Sequence, residues 1–583
     1  MRSVPFLSVP LGSILLPTTK RPQVPSSTLA QLRQLQQSLY DRAYKEARAI
    51  VGDSSRRILS YSAKFERSLP RRFVLTTQSE LLDAVRQHQF ILYGDFHTLR
   101  QSQRGLLRLV RSFVDRQRTE KVVIALEMFK HVDQDFIDGY LTGSLSEEAF
   151  LDSINYAVEW GFPWQNFKMI LDFAKLRKLP VVGINTENAG RDLLFVRDRF
   201  AAKCLIDAAE RYPGHKIVCL IGEYHLADDH LPKALAAEHK RRGRKGKVMR
   251  VLNNIDAYYF SRRRPSAHAS TEYLRLRKNF YCIMNSPPWM KWQSFALWEE
   301  MRHMGAWHTS NHEAEFDQDI DVHHEETYDV DFQFLGFVKE LAGFMQMSIE
   351  ASALENFHIH FSPRGEYLQY LTREGGLDSA EANRIIRRAG VDGVYFLART
   401  NTILLADISI NNLAEAAGQY LHTLLSGFDD YSDSKSEDFL RRIIKSCVGM
   451  MASKILNPRR KCMELHHYRQ LARRQRGLRR SPDADLRART NTGVLRFDRW
   501  MELILAKNSN KLEPIPRTLL QLDTDTDYNF SRAIGQMLGF VLYKKVLANK
   551  VSTTRVKRLF KKNHANGLSV WREVLWLYSL MNS

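Results

Sequence analysis

Gly94-Asp95-Phe96-His97 closes an apolar run, Phe90 to Tyr93, and Gly222-Glu223-Tyr224-His225 closes a second, Ile217 to Ile221. Each places a carboxylate and an imidazole at what reads as a strand end, and Glu127 closes a third run, Val122 to Leu126. Three kinds of chemistry suit such a set. His97, Glu127 and His225 could hold a divalent transition metal with one position left for water. Without metal, His97, Glu127, Glu223 and His225 form a catalytic set for hydrolysis, with Glu223 or Asp95 as base. Haem iron takes His or Tyr as axial ligand, and Tyr93 and Tyr224 neighbour the two histidines in sequence. A hydrogen-bonded structural histidine is the plain alternative for each.

The elements that must position these residues are legible as short apolar runs alternating with helical segments. The runs are Phe90 to Tyr93, Val122 to Leu126, Val181 to Ile184, Ile217 to Ile221 and Val248 to Leu252; helical spacing lies between them, as in Leu106, Leu107, Val110 and Val114. Such alternation predicts a mainly parallel sheet flanked by helices. Ligands of open parallel sheets sit beyond the carboxyl ends of the strands. Asp95, His97, Glu127, Asn185, Glu187, Glu223, His225, Asn253, Asn254 and Asp256 all follow run ends, more ionisable groups than turns require. The predicted fold is therefore an α/β N-terminal domain followed by a mostly α-helical C-terminal region. The expected division is a leader and amphipathic helix over 1–69, the α/β domain over 70–264, a His- and acid-rich linker over 265–340, and a helical region over 341–583. Leu29, Leu32, Leu35, Leu39, Ala43, Ala47 and Val51 supply the stripe of the first helix. A small hairpin is expected between Ala389 and Ile410.

Charge is unevenly placed. From Arg441 to Trp500 there are 17 Lys and Arg against 4 acids, whereas Asn311 to Asp331 holds 9 acids and no Lys or Arg. The basic segment could attract nucleic acid or another anionic partner, making the chain an interaction protein; a solvated face is the alternative, and 469–490 reads as a loop or linker. His303, His308, His312, His323 and His324, among the acids, could bind metal weakly or belong to the linker. The clusters Lys240 to Lys247 and Arg262 to Arg264 could meet haem propionates or phosphate, or be exposed loop charge. Five scattered cysteines without CxxC spacing argue against a disulfide framework and a thiolate zinc site. No run is long and apolar enough to span a membrane, and a cytoplasmic protein with no membrane span is expected. A homo-oligomer is compatible with these features.

The segment from about Phe90 to Leu252 resembles the ChaN-like haem-binding uptake family, within the Tiki/TraB/erythromycin-esterase superfamily. The residues that carry the likeness are Gly94 to His97, Ala125-Leu126-Glu127-Met128, Trp160-Gly161-Phe162-Pro163-Trp164, Pro180 to Asn185 and Gly222 to His225. The resemblance implies haem or iron binding, with His97, Tyr93, Tyr224 and His225 as candidate ligands. For other members it implies metal-dependent or His-assisted hydrolysis. It is silent on the C-terminal half.

Overall fold

The computed structural model describes residues 28–51, 63–116, 121–187, 194–261, 271–303, 330–349, 354, 357–361, 371–373, 375–405, 409–428, 434–474, 482–507, 524–564 and 566–582. These residues form two compact units, one within residues 39–328 and the other within 22–38 and 329–583. The amphipathic helix read at the start is present as α1 (Thr28–Val51), with Leu32, Leu35, Leu39, Ala43 and Ala47 buried.

In the first unit the principal elements are β1 (Val74–Thr76), α2 (Gln78–Gln87), β2 (Phe90–Asp95), α3 (Arg100–Arg116), β3 (Val122–Lys130), α4 (Trp164–Arg177), β4 (Val181–Asn185), α5 (Leu194–Arg211), β5 (Lys216–Gly222), α6 (Leu231–Arg241), β6 (Val248–Asn253), β7 (Glu272–Arg277), β8 (Phe280–Met284) and α7 (Pro288–His303). The eight strands make one sheet in the order β1-β7-β8-β6-β2-β5-β3-β4. All five predicted runs are parallel strands, and they are buried almost throughout because helices cover both faces. The sheet continues past residue 264, where the sequence reading placed its edge: β8 runs parallel to β6, and β7 folds back antiparallel. Glu272 to Arg277 alternates buried and more exposed side chains, the period of a half-covered strand, so the extension has a pattern of its own.

Parallel pairing sets β2 beside β5 in the register Asp95↔Gly222, and β5 beside β3 in the register Leu126↔Leu220. The two Gly-acid-aromatic-His segments and Glu127 therefore emerge side by side at the carboxyl edge. A sharp fit holds this edge: a side chain at Gly183 would run into the Lys130 carbonyl of the neighbouring strand.

The second unit is mostly helical. Its elements are α8 (Val330–Phe344), β9 (His358–Phe361), α9 (Ser379–Asp392), β10 (Val394–Leu397), β11 (Thr402–Leu405), α10 (Ile410–Ser426), α11 (Lys435–Leu456), α12 (Leu465–Arg474), α13 (Pro482–Ala506), α14 (Thr524–Leu547), α15 (Thr553–Lys561) and α16 (Gly567–Ser579). The expected hairpin is β10–β11, to which β9 adds a parallel strand. The stretch read as a loop at 469–490 contains the end of α12 and the start of α13. Its low apolar content misled because one narrow face suffices: Ala488, like Tyr468 just before the stretch, is buried, while Arg469, Arg473 and Arg489 are exposed. Residues 304–329, which hold most of the histidine and acid tract, and Arg262 to Arg264 lie outside the described residues.

Candidate functional site

Glu127, on β3 next to β5, is buried and sits at the centre of the cluster. Its Oε2 accepts the Gly222 N–H at 2.6 Å. Its Oε1 is ion-paired with Arg197 of α5 and lies 3.4 Å from His225 Nε2. His97 Nε2 approaches from the other side, 4.0 Å from Oε2. The convergence is tight enough that a Cβ placed on Gly222 would lie 3.5 Å from the Glu127 carboxylate and 3.6 Å from each histidine ring.

Each imidazole is held from behind by an aspartate. His97 Nδ1 meets Asp95 Oδ2 at 2.8 Å, and Asp95 Oδ1 accepts the Gln103 amide at 2.7 Å. His225 Nδ1 meets Asp198 Oδ1 at 2.6 Å, and the other Asp198 oxygen takes His230 Nδ1 at 2.8 Å. The result is a buried chain of alternating acids and imidazoles, His230–Asp198–His225–Glu127–His97–Asp95. Burial opposes charge on Glu127, but Arg197 and then His225 outweigh it and hold the carboxyl far below its ordinary range. Burial likewise opposes the charged form of His225, yet Asp198 and Glu127 raise its pKa to about 9. Asp198 is lowered against burial by the same imidazoles. At neutral pH the centre therefore holds an imidazolium between two carboxylates.

α7 covers this edge. Ser294 Oγ shares a hydrogen bond with Thr98 Oγ1 at 3.0 Å, and the Trp298 indole donates to the Gly161 carbonyl at 2.9 Å. Lys291, buried in α7, donates to Glu223 Oε1 at 2.8 Å and lies 3.8 Å from Asp256, whose other oxygen accepts from Tyr40 and Trp292. Burial raises both Glu223 and Asp256, with Lys291 opposing. A cavity of about 30 Å³ remains between α7 and the strand ends, lined by His97, Phe162, Glu223, Tyr224, Phe295 and Trp298 among others. The ring of His97 is flanked by Trp160 and Phe162, at 4.6 and 4.7 Å.

The structure thus brings together His97, Glu127 and His225, with Glu223 and Tyr224 at the cavity wall. Tyr93 is elsewhere: its hydroxyl donates to Asn253 Oδ1 at 2.9 Å beneath α3, in space that Gly105 leaves open. Glu187 is exposed. Asn253 and Asn254 are buried and tie strands together, Asn253 through the Gly94 carbonyl and Asn254 through Asn285. Reading the sequence missed Arg197, Asp198, His230 and Lys291. The three on or after α5 carry no motif, whereas Lys291 had a signal, a single lysine amid Trp289, Met290 and Trp292. Among the described residues no group of three His, Cys, Asp or Glu side chains is arranged to hold a metal ion. The metal reading of His97, Glu127 and His225 gains no support, because Glu127 already spends its oxygens on Arg197, His225 and the Gly222 N–H. None of the five cysteines is in a disulfide, and no described helix is long and apolar enough to cross a membrane.

No curated protein matches the chain. Among solved structures it is similar to one described as "Cofacial heme binding to ChaN of Campylobacter jejuni", at 12% identity over 36% of this chain and 91% of that one, with a TM-score of 0.26. Residues 81–193, which hold Asp95, His97 and Glu127, match the family described as "Haem-binding uptake, Tiki superfamily, ChaN", and over that segment the chain carries a ChaN-like domain.

Proposed function

We propose that the first unit is a haem-associated binding protein of the ChaN type. The observation that carries this reading is the family match across 81–193, which includes the first Gly-Asp-Phe-His segment and Glu127. In this reading the buried pair does not supply the axial ligands. About 30 Å³ accommodates roughly one or two waters, whereas pockets for drug-sized ligands occupy about 300–1,000 Å³. His225 is also an imidazolium with Asp198 and Glu127 at its two nitrogens, and an imidazolium has no lone pair for iron. Haem in this reading meets the unit away from His97 and His225. Titration of the purified chain with haemin should give a Soret shift that persists in His97→Ala and His225→Ala. A shift lost in both variants would return the axial role to the pair, and no shift in the wild type would sink the haem reading.

The acid–imidazole chain favours a second reading, His-assisted hydrolysis without metal. His97 faces the small cavity with Asp95 behind it, the arrangement that orients an imidazole as general base toward a water. Hydrolysis of a generic ester such as p-nitrophenyl acetate that disappears in His97→Ala but survives Tyr93→Phe would support this reading; equal rates in wild type and His97→Ala would remove it.

A further inference from the structure

A second concavity of the first unit lies away from the carboxyl edge. It is a groove of about 690 Å³ at the opposite edge, between α2 and the β7–β8 hairpin. Phe73, Ala84, Leu276 and Tyr281 form its floor, and all four are buried or nearly so. The rim is basic: Arg72, Arg275, Arg277 and Lys278 line it, the last three on the strand end and turn that join β7 to β8. Two acids also line it, but each is engaged locally. Asp83 is paired with Arg86 at 2.9 Å, and Glu80 is bonded by the Thr76 hydroxyl at the start of α2. Arg277 leans toward Asp228 at 3.7 Å, whereas among the described residues Arg72, Arg275 and Lys278 have no carboxylate within ion-pair distance. Val74, half exposed at 49%, extends the apolar surface to the rim.

An apolar floor under three cations that lack acidic partners is complementary to a molecule with an apolar body and an anionic end. The floor offers burial for hydrocarbon or a ring system, the rim offers charge-assisted hydrogen bonds, and the volume lies within the range of small-ligand sites. We propose that this groove binds a small amphiphilic carboxylate. A fatty acid and a porphyrin with its propionates share that chemistry. The proposal stands apart from the haem reading of the unit, because an aliphatic carboxylate alone would fulfil it.

The test uses the full chain and two ligands. Laurate should displace 8-anilinonaphthalene-1-sulfonate and quench its fluorescence, and haemin should shift its Soret band. The double variant Arg275→Glu/Lys278→Glu reverses two exposed charges and should weaken whichever ligand the groove takes by about tenfold or more. Val74→Asp, a single change at the half-exposed rim, should weaken it in the same direction. Dodecyltrimethylammonium should not compete. Laurate binding lost in both variants, with haemin binding absent or unchanged, leaves the groove as a site for aliphatic carboxylates and detaches it from haem. Loss of both ligands makes the groove the haem site as well. Binding of neither ligand by the wild type, or binding of both that the variants leave intact, overturns the proposal.

Discussion

Glu127 receives an arginine, a histidine and a backbone N–H, and a buried carboxylate so engaged is worth most as the counter-charge of its neighbours. Glu127→Gln keeps the shape but strips Arg197 of its partner and the His225 imidazolium of one of its two. The expected cost is about 3 kcal/mol of stability in the first unit, read from urea denaturation. His225 makes a separate prediction about pH. Its pKa is raised from 6.5 to about 9 in the folded chain, so its stabilising contribution is fully present below pH 6.5 and is lost as pH rises through 9. The denaturation midpoint should fall across that window, by an amount equivalent to about 3 kcal/mol at most. Asp198→Asn removes the largest favourable partner and should flatten the fall; an unchanged slope would assign the pH dependence to another group. The candidate residues at this scale were largely legible. His97, Glu127 and His225 were marked by recurrence at run ends, but Asp198 and His230 were not, because their role depends on where α5 and the segment after β5 lie against the sheet.

Among the elements, the second unit shows how glycines set helix spacing. A side chain at Gly535 would strike the Ile443 carbonyl and one at Gly539 the Cys447 carbonyl, so α14 and α11 touch backbone to backbone. Gly535→Ala and Gly539→Ala should each destabilise the second unit by about 1–3 kcal/mol through overpacking, measurable as a lowered melting temperature. The apolar positions of these helices were readable from their period. The close approach was not, since a glycine inside a helical pattern reads as a weakness until its neighbour is in place. Strands β7 and β8 are the reverse case: the alternation Glu272 to Arg277 stood in the sequence, and its membership of the sheet follows only from β8 pairing with β6.

For the whole molecule, the net charge of +21 suggested an anionic partner for Arg441 to Trp500. Part of that segment's charge has an internal destination. Arg441 pairs with Glu437, Arg442 with Asp438 and Asp527, Arg460 with Glu415, and Arg469 with Asp498. Lys454 is buried with backbone carbonyls as its acceptors, and burial lowers its pKa to about 7. The segment also contributes to a core through Ile443, Val448, Val494 and Phe497, which α13 continues with Met501 and Ile504. Deleting residues 482–506 should therefore unfold the second unit, seen as lost helical circular dichroism and rapid proteolysis. Intact helicity after the deletion would show that α13 adds nothing to the core of that unit.

The sequence by itself determined the five central parallel strands, the small hairpin, many of the helices and the residue types at the strand ends, because periodicity and glycine-terminated runs are local properties of the chain. It also determined the excess of positive charge. The tertiary structure alone decided which strands are neighbours, and hence that Glu127 lies between His97 and His225 with an aspartate behind each imidazole. It alone decided that Tyr93 is buried beneath α3, and that a basic-rimmed groove opens at the far edge of the same sheet. These contacts join residues up to about 200 positions apart, and pairings over such separations follow from sheet order and helix placement, which no local pattern encodes.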